Sequence, residues 1–149
     1  MTTPPASPDY LDLGHRADLG IVTARWTRPT TSPELRAGYE ALLRYATALG
    51  SACRYWLIDS RRRVQVDARD VQWLTTAFYP RLREHLRGQA FLAFLAAPYQ
   101  LTQVPLDASL PALPHTHSDY CSLNQFTNEA DAVRWLLAQG AQPVPEKKG

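Results

Sequence analysis

The chain has 149 residues, 45% of them apolar, which is enough for one domain with a core that needs no disulfide or metal staple. A net charge of +2 is too even to point to nucleic acid or a membrane surface. The two cysteines, Cys53 and Cys121, stand too far apart for a zinc ribbon or a C-x-x-C redox pair.

The opening residues, MTTPPASPDY, have neither the charged nor the apolar region of a signal peptide. No apolar run approaches the roughly 20 residues of a membrane-spanning helix. A soluble, cytoplasmic protein is the expectation. Residues 1–8 and 141–149 are rich in proline and short of apolar surface, so both read as disordered tails. A single α/β domain is expected over 9–140.

YLDLGHRADLGIVTARW alternates apolar and polar residues around a break. It predicts two strands joined as a hairpin, with the turn near Gly14 to Asp18. TTSPELRAGYEALLRYATALGS is the clearest helix. Ser32 is its expected N-cap, Pro33 its first-turn proline and Glu34 the acid at its positive end. Leu35, Tyr39, Leu42, Leu43, Ala46 and Leu49 form its apolar stripe, and Gly50 is its expected stop.

RYWLIDS reads as a buried central strand. The helical spacing of DARDVQWLTTAFYPRLREHLRG buries Val71, Leu74, Phe78, Leu82 and Leu86. Asp67 or Asp70 begins that helix, and Pro80 predicts a kink or break. QAFLAFLAAP is a second buried strand. Tyr99 to Thr116 reads as an irregular connection, and YCSLNQF as a short strand. TNEADAVRWLLAQG closes the domain as a helix capped by Asn128 and stopped by Gly140. Val133, Leu136 and Leu137 are its expected docking residues, with Ala130 and Trp135 alongside.

The predicted order is therefore β-β-α-β-α-β-β-α. It is a mixed β-sheet packed with about three helices, in the α/β class.

Two stretches carry candidate chemistry. In HTHSDYC, His115, His117 and Asp119 occupy alternate positions, and alternate residues of an extended segment share a face. Three such groups suit zinc. The alternative is a polar entry to a strand. The H-x-H-x-D run also matches the start of the metallo-β-lactamase ligand motif. That match fails at Tyr120, which stands where the motif has histidine, and no histidine follows His117. In DSRRR, Ser60, Arg61, Arg62 and Arg63 follow a buried strand, where α/β sheets bind ligands. Three arginines there could grip a phosphate or carboxylate; the alternative is a solvated turn.

No nucleophile elbow, P-loop or dinucleotide fingerprint is present. Trp26, Trp56, Trp73 and Trp135 are expected in or at the edge of the core, with Trp26 and Tyr79 as alternative ligand-lining residues. Cys53 reads as an inert core thiol.

The succession IVTARW, SPELRAGYEALL, YWLIDSRR, DVQWLTTAFYPRL, AFLAFLAAP and FTNEADAVRWL resembles the STAS-like group, the anti-sigma-factor antagonist superfamily and its single-domain bacterial relatives. The resemblance covers most of the chain between the tails. It implies a non-enzymatic, cofactor-free regulatory module that binds another protein or senses a ligand, with a homodimer as a further expectation. In that superfamily a serine after a central strand is phosphorylated. Here Asp59-Ser60-Arg61-Arg62 holds the place, without the Ser-Gly that should follow and with the next helix several residues later.

Overall fold

A computed structural model describes residues 8–49, 53–62, 67–97, 115–117 and 120–141. Six strands, β1 (Leu11–Arg16), β2 (Ile21–Trp26), β3 (Tyr55–Asp59), β4 (Ala90–Leu95), β5 (His115–His117) and β6 (Cys121–Phe126), form one sheet in the order β1-β2-β3-β4-β6-β5. The four inner strands are parallel, and β1 and β5 are antiparallel edges. The α/β class and mixed sheet are as the sequence predicts. The addition is β5: His115 and His117, expected as a metal site or a polar approach to a strand, lie in a three-residue strand paired with β6.

The first hairpin turns later than expected. The ladder runs through Arg16, opposite Ile21, and the N–H groups of Leu19 and Gly20 close the turn on the Arg16 carbonyl. Gly20, with φ at 71°, supplies the left-handed residue there. Gly14 stays in the strand for a different reason. It faces Thr23, and a Cβ on it would lie 2.8 Å from the threonine Oγ1.

Helix α1 (Ser32–Ala48) has its cap one residue earlier than expected. Thr31 is the N-cap and forms a reciprocal box with Glu34, each side chain accepting the other's backbone N–H. Arg28 pairs with the same glutamate at 2.8 Å. The expected stripe is buried, apart from the half-buried Leu49; Gly50 lies outside the described residues.

The second helical stretch changes pitch. Helix α2 (Ala68–Trp73) is capped by Asp67, whose carboxylate accepts from Arg69 N–H at 2.8 Å. A π-helical turn follows over Leu74–Phe78, then a 3₁₀ turn over Tyr79–Arg81, then α3 (Leu82–Leu86). Two causes are visible. Pro80 has no N–H to give the ladder. Leu74, Phe78, Leu82 and Leu86, all buried, recur every fourth residue, which a pitch of about 3.6 would rotate out of line. The wider π turn, closed by the Tyr79 N–H on the Leu74 carbonyl, takes up the difference. Asp70, not Val71, extends this line into the first turn; it is 5% exposed while Val71 is half-buried.

The connections β2–α1–β3 and β3–α2–α3–β4 step across the sheet in one direction. Right-handed crossovers therefore put α1, α2 and α3 on one face. There Val22, Ala24, Trp26, Trp56, Ile58 and Leu92 meet Leu35, Tyr39, Leu42, Phe78 and Leu82. Helix α4 (Glu129–Ala138), capped by Asn128, covers part of the other face with Ala132 and Leu136. Leu137, an expected docking residue, is 40% exposed. Leu136 already occupies the inward position, and Trp135 packs on the rings of Phe91 and Phe126. Ala141, assigned to the tail from sequence, is buried in this second core.

Candidate functional site

The parallel strands end on a row of charge. Register sets Asp12 of β1 opposite Arg25 of β2, and Arg25 opposite Asp59 of β3. Alternate residues of a strand share a face, and this row lies on the α4 side, where Ile21, Leu57 and Leu95 also point.

Asp59 is the hub. It is the last residue of a buried strand and is itself 8% exposed. Its carboxylate accepts the backbone N–H of Arg61 at 3.1 Å, Arg61 Nε at 3.0 Å and Arg61 Nη2 at 2.7 Å. Arg25 Nε stands 3.5 Å away. Burial pushes the Asp59 carboxyl up, but the hydrogen bonds from Arg61 and the charges of Arg61 and Arg25 together hold it below the ordinary carboxylate range. An aspartate that bonds the backbone two residues on makes a turn of its own side chain. The local sequence D-S-R thus folds back on itself and ends the strand.

Ser60 sits half-buried at the crest, its N–H donating to the Leu95 carbonyl at 2.9 Å. That bond ties the turn to the end of β4. Arg62 is exposed and makes no ion pair among the described residues. Arg63 lies outside them. Of the four residues singled out in sequence, Arg62 is exposed, Ser60 is half-buried, and Arg61, though exposed, is bound to Asp59. The neighbours missed in sequence are Arg25, which reaches Asp59, and Asp12, set opposite Arg25 in the ladder. Their placement depends on strand register, which no local pattern in the chain reveals.

The second candidate gives less to build on. His115 pairs with Asn124 and His117 with Ser122 along β5 and β6, while Asp119 lies outside the described residues. Cys121 opens β6 and is buried. Cys53 is buried too, and burial pushes its thiol up, against thiolate chemistry. Trp26 and Tyr79 belong to the core, at 1% and 5% exposure, and line no surface. Among the described residues no helix is long and apolar enough to cross a membrane.

No family model, curated protein or solved structure matches the chain.

Proposed function

We propose that the chain is a non-enzymatic regulatory module of STAS-like type, and that it contacts another protein through the Asp59–Arg62 turn. The observation that carries this reading is the way Asp59 gathers both the backbone N–H and the guanidinium of Arg61. A turn tied down in this way presents Ser60 and Arg62 in one arrangement, and a preorganised surface loses less entropy on binding. A small anion is the weaker alternative here, because it must compete with Asp59 for the guanidinium fork of Arg61. The strand order also steps steadily across β2, β3, β4 and β6, without the reversal that opens a ligand crevice in doubly wound sheets.

The test is site-specific photo-crosslinking in the source cell. The probe replaces Arg62 in one variant and Arg44, exposed on α1, in another. A discrete adduct from position 62, absent from position 44 and lost when Asp59→Ala frees the turn, is the expected result. Identical adduct patterns from both positions would sink the proposal.

A further inference from the structure

We infer that β1 is the contact edge of a symmetric homodimer, pairing antiparallel with β1 of a second copy about Gly14. Strand β1 ends the sheet, runs for six residues and contains no proline. Its outward hydrogen-bonding groups can be read from the ladder. Thr27 N–H donates to the Tyr10 carbonyl. Antiparallel pairs alternate, so Asp12, Gly14 and Arg16 turn their backbone groups toward β2. Leu13 and His15 therefore turn theirs outward. Leu11 also points outward, but its N–H is taken by the Pro8 carbonyl.

The run Leu13–His15, whose outward groups have no partner among the described residues, is self-complementary. Centred on Gly14, Leu13 exchanges two hydrogen bonds with the partner's His15, and the two-fold axis repeats the exchange. Gly14 then meets the partner's Gly14, where no side chain obstructs. The register also sets Asp12 opposite the partner's Arg16, twice, in the closely spaced class of antiparallel pair. Asp12 is exposed and has no ion pair among the described residues. The partner's Arg16 continues the row outward, giving plus, minus, plus, minus along the partner's Arg16, Asp12, Arg25 and Asp59. Arg16 now pairs with Asp18, but both are more than half exposed and such a pair is readily exchanged. Centring on Leu13 instead needs the Leu11 N–H and faces Asp12 with glycine. Charge and hydrogen bonding thus select the same register.

Sedimentation equilibrium on the full chain tests this with Asp12→Arg, Arg16→Asp and a one-to-one mixture of the two. Wild type is expected to be a dimer. Each reversal sets like charges opposite each other and is expected to raise the dissociation constant about tenfold or more. The mixture restores opposite charges at both pairs and should recover a heterodimer of wild-type strength. A wild-type monomer at about 0.1 mM, single reversals without effect, or folded variants whose mixture does not recover would each overturn it. A second measurement survives misfolding of either reversal. Asp12→Cys mixed with Arg16→Cys should oxidise to a covalent heterodimer, since facing residues lie within about 4.4–6.8 Å. Failure of that crosslink also rejects the register.

Discussion

The two faces of the sheet are built differently. The α1, α2 and α3 side holds a continuous core of large side chains, with Trp26, Trp56, Tyr39 and Phe78 at its centre. The α4 side holds a smaller one, made around Leu57, Ala93, Leu95, Ala132 and Leu136. Beyond α4, over β1 and β2, that face carries Asp12, Arg16, Thr23 and Arg25, which are exposed or half-buried. One face is given to stability, and the other divides its area between a single docked helix and a polar, ion-paired surface. Interaction surfaces are expected where burial is least complete, and both proposals above fall on this second face or at its rim.

The largest expected effect tests the first face. Phe78 is fully buried and packs on Tyr39, Trp56 and Trp73. Phe78→Ala should cost about 4 kcal/mol, a large part of the roughly 5–15 kcal/mol that holds a typical domain folded. Leu136→Ala on the second face should cost about 2–3 kcal/mol. Urea unfolding followed by far-ultraviolet dichroism reads both, and equal losses would mean the faces do not differ as described.

Asp59→Ala sharpens the comparison at the polar end. It removes the hydrogen bonds that order the turn and is expected to lower stability by about 1–3 kcal/mol. Asp70 runs the other way. It is buried in the apolar line of the second helical stretch, and its Oδ1 has no hydrogen-bond partner among the described residues. Asp70→Leu should raise the melting temperature, by about 1–2 kcal/mol of added stability. A lower melting temperature in Asp70→Leu would show that the carboxylate stabilises the fold.

Acid should act in two steps. Burial lowers the His15 pKa, so the unfolded chain takes up a proton near pH 6.5 more readily than the fold does. Stability therefore begins to fall below about pH 6.5. Glu34, held down to about 2 by Arg28 and then by the Thr31 backbone, and Asp59, also lowered, work in the other sense. Their contribution is present above about pH 4 and is lost as pH falls through their folded values. Urea midpoints between pH 8 and 2 should show both legs. His15→Phe should remove only the upper one, and Glu34→Gln should reduce only the lower. This is the smallest effect of the set.

Much of the fold was legible because most segments carry one strong period. The stripe of α1, the apolar runs of β3 and β4, and the Asn128 cap and Gly140 stop of α4 all stand where pattern and turn chemistry put them. The misses share a cause. Gly14 looked like a turn residue, but the contact that requires glycine there comes from Thr23 on the neighbouring strand. Thr31 rather than Ser32 caps α1 because the box needs Glu34 three residues on. Asp70 looked like a helix-start acid and lies in the core line. The candidate site followed the same division. Ser60 and the arginines announce themselves as a local run, whereas Arg25 reaches Asp59 only through the register of two strands.

The π turn sets a phase for everything after it. Leu82 and Leu86 point inward only because Leu74–Phe78 is wound more loosely than an α-helix. Loss of one exposed residue there, Thr76 or Ala77, would let the stretch rewind as ordinary helix. A π turn holds one residue more than the α turn it replaces, so Leu82 and Leu86 would keep their inward phase after that loss. A single-residue deletion, ordinarily ruinous inside a buried helix, should therefore be best tolerated in this turn.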